Sequence, residues 1–199
     1  MTREEYDKVE GVNFSKLKTI LRSPAHFQAA LNADSTREDE ERFAVGTLAH
    51  AMALEGKDVR DMFSIKPAGM SFATVEGKLW KLQNGHKPIL KEEDSNKIPM
   101  MAEAIAKDPR AAAVLRGCPE RERAVFAEFS GVKAKALLDA AGTDSANRPL
   151  IVDVKTTTDA RLEAFSKKID DLDYDFQMEW YREIYKIEQG LEELPAWVW

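Results

Sequence analysis

The sequence predicts an α/β protein, and three observations predict it. Apolar residues recur at helical spacing through residue 117. From Glu122 the period changes to that of strands, and the strand region ends in the apolar run Leu150-Ile151-Val152. After Thr158 helical spacing returns in Ala160–Ile169 and, past the acidic linker Asp170–Asp175, in Phe176–Gln189. At 199 residues the chain is expected to form a single domain, 1–199, with a helical part (1–117) and a sheet-and-helix part (118–199).

Taken in order, Asn13 or Ser15 caps a first helix carrying Leu17, Ile20 and Leu21, and Ser23-Pro24 interrupts it before a second short helix from His26 to Leu31. Asp34 to Arg42 is almost wholly charged and reads as an exposed loop or a solvated helix start. Phe43 to Gly56 is a helix with Thr47 as N-cap, Gly56 as C-cap and an alanine-rich face suited to packing on a sheet. Val75 to Leu82 is helical, with Trp80 buried. Lys91 to Leu115 is one long amphipathic helix stopped by Gly117. Ala124 to Phe129 and Val132 to Ala140 are strands around a turn at Gly131. Gly142 to Pro149 has turn chemistry and folds the strand carrying Asp139 against the Leu150 strand. Thr158 or Asp159 caps a helix from Ala160 to Ile169, and Phe176 to Gln189 is a largely buried last helix. Ala196 to Trp199 starts like a strand.

Composition narrows the function. Hydrophobic content of 44% and charged content of 32% fit a soluble globular protein, and no apolar run approaches the length of a membrane span. The polar start is no secretory signal, and the single Cys118 excludes an internal disulfide and a multi-cysteine metal site. A reducing, intracellular setting is the simplest fit. A net charge of −6 argues against coating nucleic acid by bulk electrostatics but leaves room for a nuclease, whose metal-holding carboxylates add negative charge.

The stretch that carries chemistry is Leu150 to Thr158. On a strand, Asp153 and Lys155 share one face and project about 7 Å apart, with Val154 on the other face. A carboxylate binds a hard divalent ion, and a nearby lysine orients water or stabilises a developing anion. A surface salt bridge is the simpler account of D-x-K alone. The hairpin brings Asp139 toward Asp153, and two carboxylates with the Val154 carbonyl suit magnesium. Gln177 and Tyr181 share a helical face, where ordinary packing is an equal alternative. His50 reads either as a core histidine or as a neutral imidazole ligand beside carboxylates.

In order, the chain carries GTLAH at Gly46–His50, KALLD at Lys135–Asp139, VDVKTT at Val152–Thr157 and YDFQMEWY at Tyr174–Tyr181. Over nearly the whole chain this resembles the PD-(D/E)XK nuclease superfamily, and more narrowly the RecB-like nucleases of the exonuclease VIII (RecE-like) branch of phages and prophages. The resemblance implies a restriction-endonuclease-like fold, a central mixed β-sheet flanked by α-helices. It implies that His50, Asp139, Asp153 and the Val154 carbonyl hold the metal, that Lys155 is the catalytic lysine, and that Gln177 and Tyr181 help hold the active site and the DNA end. Glu128 matches an auxiliary acid. The cofactor implied is Mg2+, with Mn2+ as substitute.

The activity implied is exonucleolytic, degrading one strand of linear duplex DNA from the 5′ end and leaving 3′ single strands for recombination. The expected partners are double-stranded DNA ends, a single-strand annealing recombinase and further copies of the chain, without a membrane, in the cytoplasm of a bacterial host. The sequence departs from the pattern at Leu137, where the family usually has arginine. It also stops inside the last strand, where members usually continue, so a truncated C-terminus is expected. The rival reading is a DNA-end or recombinase-binding module that keeps the fold without turnover.

Overall fold

A computed structural model describes the chain except for residues 34–36, 130 and 199, and for the side chains of residues 4 and 37–42. The elements, in order, are α1 (Arg3–Lys8), α2 (Phe14–Leu17), α3 (Pro24–Leu31), α4 (Arg37–Glu55), β1 (Ser64–Ile65), α5 (Val75–Asn84), β2 (Ile89–Leu90), α6 (Glu92–Lys107), α7 (Pro109–Gly117), β3 (Glu120–Phe129), β4 (Val132–Thr143), β5 (Pro149–Val152), α8 (Leu162–Asp171), α9 (Tyr174–Gln189) and β6 (Ala196–Val198). The chain divides into two compact units, one formed by Met1–Asp34 with Val114–Trp199, the other by Ser35–Ala113. The α/β architecture with a mixed sheet is the restriction-endonuclease-like class expected from the sequence.

The first unit is built on a sheet of order β3-β4-β5-β6. β3 and β4 form an antiparallel hairpin around Gly131, whose φ of +82° is a conformation glycine adopts without steric cost. β5 is antiparallel to β4, and β6 is parallel to β5. On one face, α9 buries Met178, Tyr181, Ile184 and Tyr185 against Val125, Ala136, Leu138 and Ile151. The helix presents these residues at helical spacing, so a single stripe meets the sheet. On the other face Cys118, Ala140, Leu150 and Val152 form a smaller core. The backbone of Gly117–Cys118 presses on β4 so closely that a Cβ at Gly142 would lie 2.2 Å from the Gly117 carbonyl oxygen.

The N-terminal segment belongs to this sheet. Val12 N–H donates to Lys133 O and Lys135 N–H to Val12 O, both at 2.9 Å. The buried Lys135 side chain donates to the carbonyls of Tyr6 at 2.9 Å and Val9 at 2.7 Å, and so holds the end of α1.

In the second unit, Ala44, Leu48 and Ala51 of α4 pack with Val59, Leu90 and Ile98. Within its unit the alanine-rich face therefore meets α6 and the β2 strand rather than a broad sheet. Among the described residues no helix is long and apolar enough to cross a membrane.

Several boundaries differ from the expected ones. α4 begins before Phe43, so Thr47 lies inside it and donates to Phe43 O at 3.2 Å instead of capping. The charged run it starts in falls partly outside the described residues. The expected helix 91–115 is two helices, because Pro109 forces Asp108 out of helical conformation. Asp108 Oδ1 then accepts the N–H groups of Arg110 and Ala111, each at 2.9 Å. α8 starts at Leu162 without a side-chain cap, because Asp159 binds the Arg161 N–H and guanidinium in a turn of its own. Trp80 is half-buried, stacked beside Phe72.

Candidate active site

The register of the sheet sets three acids in one row. Arg121 pairs with Ala140 and Arg123 with Leu138, so Glu122 lies across from Asp139. Ala140 pairs with Val152, so one step further Asp153 lies across from Asp139 on the other side. Glu122 interrupts its ladder with φ of +45°, and the side-chain alternation of β4 changes phase at the same level. Leu138 faces the α9 core, Ala140 the opposite core and Ala141 the α9 core again. A carboxylate oxygen of Glu122 lies within 4.8 Å of one of Asp139.

β5 ends at Val152, earlier than the run to Thr158 predicts. Asp153 still donates its N–H to Val198 O at 3.0 Å, but Asp153 to Thr158 adopt no regular structure. Leaving the strand frees the side chains from the roughly 7 Å strand spacing. Lys155 Nζ consequently sits 2.6 Å from Asp153 Oδ2 as an ion pair. Val154 N–H donates to Asp139 Oδ2 at 2.6 Å, tying the segment to β4.

α9 supplies the other side of Lys155. Its Nζ donates to Gln177 Oε1 at 2.8 Å, and Gln177 Nε2 donates to Tyr181 OH at 2.7 Å. The Tyr174 ring centroid lies 4.5 Å from the same ammonium. Asp153, Lys155, Gln177 and Tyr181 are thus one connected chain of polar contacts.

Residues 13–198 match the family described as a PDDEXK-like domain of unknown function (DUF3799). The chain belongs to this family. The PDDEXK-like domain is of nuclease type, and divalent metals are the usual cofactors of such nucleases. No curated protein matches the chain.

Electrostatics within this PDDEXK-like domain favour a bound cation. Burial raises the Asp139 carboxyl well above the usual carboxylate range. The Asp153 charge adds to that rise, the Val154 N–H and Lys155 oppose it, and Glu122 adds a little more. Asp153 Oδ2 is buried, pairs with the Lys155 ammonium at 2.6 Å and takes no hydrogen bond from the described residues. A buried oxygen without a hydrogen-bond donor, close to the Asp139 carboxyl, suits a hard divalent ion. Burial also raises the Tyr181 phenol, and the Asp153 charge reinforces this, so Tyr181 stays neutral and serves as a hydrogen-bond partner.

Of the residues expected from sequence, Asp139, Asp153, Val154, Lys155, Gln177 and Tyr181 gather in the first unit. His50 stands half-buried on α4 in the second unit. Glu128 is exposed near the turn end of β3, opposite Lys133, six residues along the strand from the acid row. Glu122, which the sequence does not single out, stands across from Asp139.

Proposed function

We propose that this protein is a magnesium-dependent exodeoxyribonuclease acting on linear double-stranded DNA from the 5′ end and leaving 3′ single strands for recombination. The observation that carries the reading is the row Glu122–Asp139–Asp153 with Lys155 in contact with its last acid. The oxygens of Asp139, Asp153 and the Val154 backbone would hold the ion, with Glu122 beside them. The resemblance adds His50, whose replacement by alanine should weaken metal binding measured by calorimetry. When bound, the ion supplies a water of lowered pKa and neutralises phosphate charge.

The protein's own groups do the rest. Asp139 and Asp153 concentrate negative charge where a cation is needed. Lys155 is held between Asp153 and Gln177 at a position to stabilise charge developing on the phosphate. Gln177, anchored by Tyr181, fixes the ammonium and limits its rotation.

The 5′ polarity, a homo-oligomeric assembly, a partnership with a single-strand annealing recombinase and a phage origin rest on the resemblance alone. The deciding experiment compares 5′- and 3′-labelled linear duplex with closed circular DNA in magnesium and in manganese. Release of 5′ label from the linear form alone supports the proposal. Cutting of the circle makes the protein an endonuclease. Cutting of neither makes it a binding module of the same fold.

A further inference from the structure

Lys168 stands on α8 and reaches back to the loop that follows Lys155. Its Nζ donates to Thr157 Oγ1 at 2.6 Å and to Thr158 Oγ1 at 3.3 Å. The Thr157 hydroxyl is committed, since it donates to Asp159 O at 3.0 Å. Thr158 is exposed, and its own O–H meets no acceptor among the described residues.

The neighbouring cations are paired with carboxylates, whereas Lys168 is in no ion pair among the described residues and feels the Asp159 charge only at longer range. Lys155 pairs with Asp153 at 2.6 Å, and Arg161 pairs with Asp159 at 2.6 Å. Among the described residues no carboxylate lies within ion-pair distance of Lys168. An ammonium has three N–H groups. Two of them are spent here on hydroxyls, which fix the side chain without offsetting its charge. One N–H and a positive charge held in no ion pair remain, beside the exposed Thr158. A nucleic-acid phosphate takes such a combination, a point charge with hydrogen-bond donors next to it.

We propose that Lys168 and Thr158 form a phosphate-contacting pair for the DNA strand cut at the Asp139–Asp153–Lys155 centre. This rests on the nuclease reading above. The competing role is a staple, in which Lys168 only secures the loop.

Binding of a fluorescent linear duplex in calcium, titrated across salt concentrations, tests it. For Lys168→Gln the slope of log affinity against log salt should shrink by about 0.9, the value for one lost phosphate contact on duplex DNA. Lys168→Arg should keep the wild-type slope, and Thr158→Val should lose affinity with the slope unchanged. An unaltered slope for Lys168→Gln overturns the proposal, even with a lowered melting temperature, because a staple moves stability and not counterion release. If Lys168→Gln does not fold, Thr158→Val decides, and unchanged affinity there overturns the proposal. Wild-type protein that binds and cuts no duplex overturns the nuclease reading together with this pair. Wild-type protein that cuts, beside Lys168→Gln with an unaltered slope, overturns this pair alone.

Discussion

Lys155 Nζ and Asp153 Oδ2 lie 2.6 Å apart, and Asp153 is almost fully buried. The two residues should nevertheless fail in different ways. Asp153→Asn keeps the shape but removes charge, so metal affinity and cleavage should fall together. Lys155→Ala leaves the acids in place, so metal binding should persist or strengthen as a positive charge departs. Its single-turnover cleavage should drop by ~100- to 1,000-fold. Calorimetry for metal, beside rates on labelled duplex, separates the two. Near wild-type cleavage by Lys155→Ala would reduce the lysine to a salt-bridge partner.

Gln177 holds Lys155 at second hand, so its loss should cost less than loss of an acid. Gln177→Ala should slow cleavage roughly 10- to 100-fold, the usual range for a partner that orients a site group. Tyr181→Phe should cost less still, because it removes only the group that anchors Gln177. Equal losses for Gln177→Ala and Asp153→Ala, with folding intact by circular dichroism, would reverse these roles.

Glu122 and Glu128 lie on the same strand, and only Glu122 lies across from Asp139. Glu122→Gln should weaken magnesium or manganese binding severalfold, while Glu128→Gln should leave it unchanged. Calorimetric titration of both variants checks this, and a larger effect at Glu128 would remove Glu122 from the site.

Asp139 is crowded by burial and by the Asp153 charge. Asp139→Asn keeps an acceptor for the Val154 N–H and removes the repulsion. In chelator at neutral pH it should therefore melt higher than wild type, by about 2–4 °C for a gain on the order of 1 kcal/mol. It should lose metal-induced stabilisation. A lower melting point in chelator would show that the acid row is not strained without metal.

Asp108 shows the opposite sign. Its carboxyl lies below the usual carboxylate value because it accepts backbone N–H groups at the start of α7, most strongly from Ala111. A folded-state pKa below the unfolded one gives stability that is present above the unfolded value, near pH 4, and lost as pH falls through the folded value. Asp108→Ala should therefore melt lower than wild type at pH 7, and the difference should shrink below about pH 4. A difference that persists undiminished at lower pH would assign the effect to something other than ionisation.

The sequence made Asp153, Lys155, Gln177 and Tyr181 legible because they lie in short local patterns. Asp139 was reachable through the hairpin, whose turn residues imply the pairing. Glu122 was hidden within the charged run Glu120–Arg123, which reads as a solvated strand edge. Its place opposite Asp139 depends on cross-strand register, which no local spacing encodes. The end of β5 was hidden for a related reason. Threonines after Lys155 favour strand, but among the described residues the last β5–β6 pair is Val152–Val198, followed by the Asp153 N–H bond to Val198 O. The break between α6 and α7 was written in Asp108-Pro109, where apolar periodicity masked a plain stop signal.

The unit that holds the acids is discontinuous in the chain, and this sets an order of events at the ribosome. Lys135 binds the carbonyl of Tyr6 across 129 residues of sequence. The first 34 residues therefore have no sheet to join until the segment from Val114 onward has been made, whereas Ser35–Ala113 is contiguous. Contacts of such long range form slowly, because closing a long loop precedes any reward from the contact. The intervening unit is thus the first able to fold during synthesis. The acid row can assemble only once β5 has emerged to lie beside β4.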